Sequence, residues 1–435
     1  MHVSDIARKS RQAALKLARL TGPVKDRALD AMAEALDAGL SAILEANARD
    51  MEAAVKEDLA GPLMARLALN ENKLRGMAEG IRSVGRLPDP VGKMLKQTEL
   101  DRGLILTQES CPIGVIGAIF ESRPDAVPQI ASLCLKSGNA AILKGGREAQ
   151  HSNKTLVGLL TRAMASVPGV PPEAVQMIET RGEVAEMLKE EENIDLVVPR
   201  GSNAFVKYIQ DNTRIPVLGH SEGICHGYID AGADLERAVP VVLDSKLQYP
   251  AACNAMETLL VHEDIAPAAL PRLMTEFRAQ GVELVGCIKT CSLAPDMARA
   301  VEEDWDTEYN DLKLSVRVVA DLREAVEFIN AHGSGHTDTI LTEDRARAER
   351  FQNEVDSASV LWNASTRFAD GFRYGLGAEI GISTNKTHAR GPVGLEGLVI
   401  YKYKLAGEGH TVAGYSGDGA RRFTHRQLYP KPQVS

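Results

Sequence analysis

The sequence predicts an α/β protein with two lobes, each built around a mostly parallel β-sheet covered by helices. Short apolar segments rich in β-branched residues alternate with amphipathic helical segments from about residue 111 to 219, and the alternation restarts near residue 257. Such alternation is typical of parallel sheets with helices on both faces. The length of 435 residues also exceeds what one hydrophobic core usually organises.

The first hundred residues are predicted to be mainly helical. From Ser4 to about Ala60 apolar residues recur at three and four positions, and a further helical stretch covers residues 63–84. The segment LPDPVGK then breaks the helix, and TELDRGLILTQES predicts a strand or hairpin.

The first lobe begins with the strand CPIGVIGAIF, a helix that ends near Gly138, and the strand NAAILKGG. Helices over 154–165, 183–189 and 202–212 then alternate with the strands AVQMIET, IDLVVPR and IPVLG. The second lobe contains helices over 267–280 and 322–330 and the strands TLLVH, VELVG, LSVRVV, TDTILT and SASVLWN.

Composition excludes several classes of protein. A net charge of -9 and a pI near 5.7 argue against a broad basic surface for nucleic acid or anionic lipid. The N-terminus lacks the pattern of a signal peptide and no apolar run is long enough to span a bilayer, so we expect a cytoplasmic protein without membrane contacts. The six cysteines form no framework of close spacings and are expected to be reduced. Neither the Cys287 and Cys291 pair nor the ten histidines show metal-ligand spacing, so no metal site is expected.

Cys253 is the candidate nucleophile. It lies in YPAACNAMETLLVH, between a proline-containing loop and a strand, where a loop can hold a thiol at the edge of a cleft. A thiol ionises partly near neutral pH, and its thioester is reactive enough to accept a hydride. Taken alone, a cysteine such as Cys253 is more often a small buried apolar residue than a nucleophile.

Several segments, in order, resemble one family. GVIGAIFESRPD, SGNAAILKGGREA, GICHGYID, CNAMETLLVH, LKLSVRVV and STRFADGFRYGLGAEIGIST are similar to the aldehyde dehydrogenase superfamily, and most closely to its gamma-glutamyl phosphate reductases, also called glutamate-5-semialdehyde dehydrogenases. The resemblance covers nearly the whole chain and implies that Cys253 is the catalytic nucleophile. It also implies two Rossmann-like lobes and a small β oligomerisation arm.

The resemblance implies three structural parts. Residues 1–97 and 112–240 are expected to form the cofactor-binding domain, and residues 241–390 the catalytic domain. Residues 98–111 and 391–435 are expected to form the arm and C-terminal segment. An exposed strand edge on such an arm invites a partner strand, so a homo-oligomer, dimer or tetramer, is predicted.

Five residues are candidates for binding the cofactor. By resemblance Lys144 reaches the adenosine ribose, Gly201 and Ser202 meet the pyrophosphate at a helix N-terminus, and Glu308 holds the nicotinamide ribose. Arg147 stands where NAD-preferring relatives often keep a glutamate, and a cation there would bind a 2′-phosphate, so NADPH is predicted. The competing interpretations are a solvated loop residue for Arg147 and a surface carboxylate for Glu308.

Two departures from oxidising members of the family favour a reductase. Val217 occupies the place of the glutamate that activates water in those enzymes, while the nearby His220 and Glu222 are expected to have ordinary loop roles. ESRPD, with Ser122 and Arg123, replaces the segment that supplies an asparagine to the oxyanion. We hypothesise that the Cys253 N–H and a group of this loop stabilise the oxyanion while Arg123 faces the leaving phosphate. Pairing of Arg123 with a structural carboxylate is the alternative.

The loop over residues 365–384 supplies the candidate substrate ligands Arg367, Asp370, Arg373 and Ser383. The resemblance implies reduction of gamma-glutamyl phosphate to glutamate 5-semialdehyde, which cyclises to pyrroline-5-carboxylate on the route to proline. Association with glutamate 5-kinase is a further expectation. A hydrolytic aldehyde dehydrogenase acting on another semialdehyde, or a non-catalytic scaffold of the same fold, are the alternatives.

Overall fold

The N-terminal region is a bundle of five helices. A computed structural model describes residues 2–220 and 222–430, apart from the side chain of Pro62. The helices are α1 (Val3–Leu17), α2 (Gly22–Ala38), α3 (Leu40–Lys56), α4 (Gly61–Leu67) and α5 (Glu71–Arg86). The stretch predicted as one helix over 63–84 is two helices, because the side chain of Asn70 accepts a hydrogen bond from the Lys73 N–H (2.8 Å) and so caps a new helix start.

The predicted hairpin follows the helices. It consists of the antiparallel strands β1 (Met94–Asp101) and β2 (Leu104–Pro112). Strand β1 therefore starts four residues before the expected arm boundary at residue 98.

The first parallel sheet has four strands in the order β5-β4-β3-β6. Its elements are β3 (Val115–Phe120), α6 (Ala126–Lys136), β4 (Ala140–Lys144), α7 (Gln150–Ala165), β5 (Val175–Met177), α8 (Arg181–Met187), β6 (Leu196–Arg200) and α9 (Asn203–Asp211). Every residue of β3 is buried, as its unbroken apolar sequence predicts. The strand predicted over residues 215–219 is wrong, since this segment makes only one bridge, between Val217 and Val197.

The second parallel sheet has seven strands in the order β10-β9-β11-β8-β7-β12-β13. Its elements are β7 (Cys225–Ile229), α10 (Leu235–Leu247), β8 (Met256–His262), α11 (Ala266–Ala279), β9 (Glu283–Gly286), α12 (Ile288–Leu293), β10 (Ala298–Arg299), β11 (Lys313–Val319), α13 (Leu322–His332), β12 (Thr337–Leu341), α14 (Arg345–Glu354) and β13 (Ser359–Trp362). Because β7 lies between β8 and β12, the second lobe begins near residue 225, earlier than the boundary expected at residue 240.

The chain ends in short strands. These are β14 (Gly381–Ser383), β15 (Gly391–Val393), β16 (Val399–Ala406) and β17 (Arg426–Tyr429). Strands β16 and β17 join the hairpin in a four-stranded antiparallel sheet, β16-β2-β1-β17, in which β16 is an edge strand. Two parallel α/β lobes and a small antiparallel sheet confirm the predicted fold class. Within the described residues no helix is long and apolar enough to cross a membrane.

The two lobes meet near the carboxyl end of β6. Arg200, at the end of β6, and Asn203 lie near the segments that precede β8 and β11 in the other sheet. The contact between the lobes includes a hydrogen bond from the Asn203 side-chain amide, at the start of α9, to Oε2 of Glu308 (2.7 Å). The crevice between the lobes therefore combines the strand ends that usually bind cofactors with loops of the second lobe.

Candidate active site

Cys253 lies in the tight turn between α10 and β8 and its side chain is half-buried. Two contacts fix this turn. The thiol of Cys225, at the start of β7, lies 3.3 Å from the carbonyl oxygen of Cys253, and the side-chain amide of Asn254 donates to the carbonyl oxygen of Ala369 (2.9 Å). The nucleophile predicted from the sequence therefore lies on a braced turn at the crevice.

Gly223 lies between the turn that carries Cys253 and the carboxylate of Glu308. A Cβ atom placed on Gly223 would lie 2.2 Å from the carbonyl oxygen of Cys253 and 2.7 Å from Oε1 of Glu308. Only a residue without a side chain fits between them. Because Glu308 also accepts the hydrogen bond from Asn203, it connects the turn that carries the thiol to the first turn of α9. The structure thus brings together Cys253 and Glu308, which are far apart in sequence.

Three of the predicted cofactor residues, Lys144, Gly201 and Ser202, lie at the carboxyl ends of β4 and β6, which flank β3 in the first sheet. Lys144 is the last residue of β4, and burial lowers the pKa of its half-buried ammonium, an effect that Glu148 opposes. A Cβ on Gly201 would lie 2.7 Å from Glu121, and the backbone N–H of Ser202 donates to the same carboxylate (3.2 Å) at the start of α9. A lysine, a glycine that permits close approach and a helix N-terminus are the groups that a dinucleotide requires, so these residues fit a nicotinamide cofactor.

Arg147 lies three residues beyond Lys144, on the protein surface. Its Nη2 donates to both carboxylate oxygens of Glu57 (2.7 Å each), and its side chain is 77% exposed. The structure therefore places Arg147 near the end of β4 in a surface ion pair.

Ser122 and Arg123 occupy different environments. Ser122 is buried with a φ of +42°, and both its N–H and its hydroxyl donate to Oε1 of Glu148 (2.6 Å each). Both donors are thus engaged, and the geometry does not support Ser122 as an oxyanion donor. Arg123 donates to Asp125 (3.2 Å), which is the structural pairing that the sequence left open.

Two guanidinium groups lie within electrostatic range of the Cys253 thiol. Burial, and then the neighbouring Arg123, lower the pKa of Arg200 to about 10, and a negative charge on Cys253 opposes this shift. Burial also lowers the pKa of Arg367, and Cys253 again opposes the shift. Each guanidinium is oriented by a glutamine oxygen at 2.9 Å, from Gln129 and Gln248 respectively. Arg200 was not predicted, although it directly precedes the Gly201 and Ser202 pair.

Arg200 also lines a cavity of about 710 Å³. The charged residues that line it carry both signs, namely Arg66, Lys73, Arg123, Asp125, Arg200, Asp370 and Glu379. Arg373 donates instead to the carbonyl oxygen of Arg367 (3.2 Å), and buried Ser383 lies 3.5 Å from the carbonyl oxygen of Gly219. Among the candidate substrate ligands, Asp370 lines this cavity and Arg367 lies near the Cys253 thiol, while Arg373 and Ser383 brace the loop.

Two histidines lie beside the thiol. One ligand atom each from His220, Cys253 and His336 lie within 4.8 Å of one another. The sequence favoured a loop role for His220 over a role in proton transfer, and it did not identify His336, because no spacing motif connects three such distant segments. Val217, whose carbonyl accepts a hydrogen bond from Asn385 (2.8 Å), carries no acid or base to this site.

Comparison with known proteins places the chain among similar enzymes. The model of the aldehyde dehydrogenase family matches residues 1–284. The chain is 54% identical over 428 residues to the gamma-glutamyl phosphate reductase of Pelotomaculum thermopropionicum, which covers 98% of both chains. It is also 54% identical to that of Methanosarcina mazei, over 97% of this chain and 96% of the relative. A crystal structure of the gamma-glutamyl phosphate reductase of Thermotoga maritima superposes with a TM-score of 0.92 at 42% identity, covering 94% of this chain and all of that one.

Proposed function

Because the chain belongs to the aldehyde dehydrogenase family, and within it to the gamma-glutamyl phosphate reductases, we propose that it reduces L-glutamate 5-phosphate to L-glutamate 5-semialdehyde and phosphate. This reaction is the second step of proline biosynthesis from glutamate. The chain is an oxidoreductase of a family that uses a nicotinamide cofactor. The observation that carries the proposal is the meeting of Cys253, Gly223 and Glu308 at the crevice, beside the start of α9.

The residues around the thiol suit a thioester mechanism. The Cys253 thiolate attacks the acyl carbonyl, the tetrahedral adduct expels phosphate, and a thioester remains on the enzyme. The bound nicotinamide supplies the hydride for the second half of the reaction. Collapse of the resulting hemithioacetal releases the aldehyde and regenerates the thiolate. The N–H of Cys253 is our candidate oxyanion donor, and Arg200 and Arg367 are our candidates for stabilising the departing phosphate.

The oxidised direction tests the reaction and the nucleophile together. Glutamate semialdehyde should reduce NADP⁺ only when phosphate or arsenate is present, and Cys253→Ser should abolish this activity. Cys291→Ser removes a thiol away from the crevice and is the matched control. Oxidation that proceeds without phosphate would favour the hydrolytic alternative. If Cys253 does not react with an alkylating agent, or if cofactor and substrate do not slow its alkylation, the result would favour a non-catalytic scaffold.

NADPH is the proposed form of the cofactor. Exposed ion pairs such as that of Arg147 with Glu57 contribute only about 0–1 kcal/mol, so a 2′-phosphate could replace the Glu57 carboxylate at little cost. Hydrogen bonds to a charged group are worth about 1.5–3 kcal/mol, so Arg147→Ala should raise KM for NADPH roughly tenfold or more. KM for NADH should change little, and Lys154→Ala, which removes another surface cation, serves as control. Equal changes for both cofactors would contradict this role.

The charged cavity is the proposed site for the amino-acid end of the substrate. A glutamyl group carries one carboxylate and one ammonium, and the cavity offers Arg123 to the first and Asp125, Asp370 and Glu379 to the second. Asp370→Asn should therefore raise KM for glutamate semialdehyde more than KM for a semialdehyde that lacks the amino group. The opposite order would contradict the assignment.

The antiparallel sheet is the proposed oligomerisation arm. Ile400, Tyr401, Tyr403 and Leu405 on the edge strand β16 are all exposed, which suits pairing with a second copy. We propose a homo-oligomer, dimer or tetramer, in the cytoplasm, and a monomer at micromolar concentration by light scattering would contradict it. Association with glutamate 5-kinase stays a prediction, which co-elution of the two purified proteins would test.

A further inference from the structure

A thiol and two imidazoles converge at the crevice. The cluster comprises His220, Cys253 and His336, whose ligand atoms lie within 4.8 Å of one another. His336 is fully buried, whereas His220 and Cys253 are half-buried and so remain accessible from the crevice. The two rings stand edge to face with centroids 4.9 Å apart.

The hydrogen bonds of the two rings leave one nitrogen of each available. Nδ1 of His220 lies 2.9 Å from the carbonyl oxygen of Ile382, and since a carbonyl only accepts, Nδ1 carries the proton and Nε2 keeps its lone pair. Nδ1 of His336 contacts the hydroxyl of Thr337 (2.8 Å). Nε2 of His336 is buried and has no hydrogen-bond partner in the described part of the chain. An unpartnered buried polar atom is costly, which points to a ligand at this position.

We propose that His220, Cys253 and His336 form a binding site for a thiophilic divalent cation, with Zn²⁺ as the best match. Zn²⁺ binds thiolate at about 2.3 Å and imidazole at about 2.0–2.1 Å in a tetrahedron, so ligand atoms in such a site lie roughly 3.5 Å apart. The cluster needs to close by only about 1 Å to reach that geometry. Hard cations such as Mg²⁺ and Ca²⁺ prefer oxygen ligands, which this cluster lacks.

The surroundings of the cluster also match a zinc site. Histidines that bind metals usually donate their other ring N–H to a carbonyl or a similar acceptor, as His220 does to Ile382. Three protein ligands leave the fourth position of the metal to solvent. Metal on Sγ would occupy the nucleophile, so the site is inhibitory. This regulatory consequence rests on the proposed reductase activity, whereas the binding itself does not.

Titration of metal-free full-length protein with Co²⁺ and Zn²⁺ tests the site directly. Wild type should bind one equivalent, and Co²⁺ should give a thiolate charge-transfer absorption band. Cys253→Ser should lose the band, and His220→Gln should weaken binding at least tenfold. Cys291→Ser and His332→Gln, which alter a thiol and an imidazole outside the cluster, should bind as wild type does. Thermal unfolding of each variant confirms that it is folded.

A second measurement needs no variant. Zn²⁺ should slow alkylation of Cys253 in the wild-type protein, and a chelator should restore the original rate. The proposal is overturned if wild type binds no stoichiometric metal, if Cys253→Ser and His220→Gln bind as wild type does, or if alkylation is unaffected by Zn²⁺. Because none of these readouts depends on turnover, failure of the reductase assay and failure of the metal site are distinguishable.

Discussion

Substitution of Gly223 by alanine should displace the nucleophile. The added Cβ would lie 2.2 Å from the Cys253 carbonyl oxygen, whereas real Cβ atoms essentially never approach closer than 3.0 Å, so the two must separate by at least 0.8 Å, the difference between these distances. A misplacement of about 1 Å at a reacting group can cost roughly 100-fold in rate, which corresponds to about 2.7 kcal/mol of activation free energy. The Cβ also presses on Glu308, so KM for the cofactor should rise.

The matched control is Gly219→Ala in the same segment. A Cβ on Gly219 would meet only Pro199, at ordinary contact distances of 3.5–3.7 Å. Steady-state kinetics should therefore show a loss of kcat of roughly 100-fold in Gly223→Ala and little change in Gly219→Ala, with both proteins folded by circular dichroism. If kcat for a folded Gly223→Ala equals that of Gly219→Ala, the close packing of Gly223 against Cys253 does not position the thiol, and the reasoning is refuted.

Three further substitutions test other parts of the site. Glu257→Gln removes one partner of the buried ion pair with Lys246 (2.6 Å, both side chains 0% exposed). This substitution should lower the free energy of unfolding in urea by about 3–5 kcal/mol. Replacing both partners with apolar residues should recover much of the lost stability. Failure of the double variant to recover would argue against an uncompensated charge as the cause. Arg200→Gln should lower kcat/KM for the acyl phosphate by roughly tenfold or more without a comparable loss of stability, and an unchanged value would remove this residue from the site. Asn254→Ala should cost about 1–3 kcal/mol in urea unfolding, because it leaves the Ala369 carbonyl unpaired, and a neutral result would show that this bond does not brace the turn.

The fold was largely predictable because strand and helix periodicities are local signals. The errors occur where a local signal misleads. The boundary between the two lobes was expected at residue 240, yet Pro240 lies inside α10, which separates β7 from β8. The second lobe was consequently placed too late, although GICHGYID contains a central strand of its sheet. The sheet to which a strand belongs depends on hydrogen bonds between strands that are distant in sequence, and these hydrogen bonds produce no periodic pattern in the sequence.

The site was predictable only in part, for a related reason. Cys253, Lys144 and Glu308 stand in segments whose order matches a family, and the structure places Cys253 and Glu308 at the crevice and Lys144 at the carboxyl end of β4. By contrast, Arg200 and His336 are candidates only because of the residues that they approach in the folded protein. No single sequence segment shows such proximity between two lobes. Ser122 is the opposite case, because its segment matches the family but its contacts do not suit the role. Its N–H and its hydroxyl both donate to Glu148, a glutamate that the sequence did not single out.

The order of the strands in the second sheet explains why different residues lie on the two sides of Cys253. Glu308, Cys253, Gly223 and His336 precede β11, β8, β7 and β12, which are consecutive neighbours in that sheet. Adjacent strands lie about 4.8 Å apart, so the four segments form a row roughly 14 Å long. Glu308 stands at the end nearest α9 and the proposed cofactor, while His336, with its unpartnered Nε2, stands at the other end. The Cys253 turn, which precedes β8, lies in this row between the segments of Glu308 and His336, so the proposed cofactor residue and the proposed metal ligand would approach the thiol from different strands of the sheet.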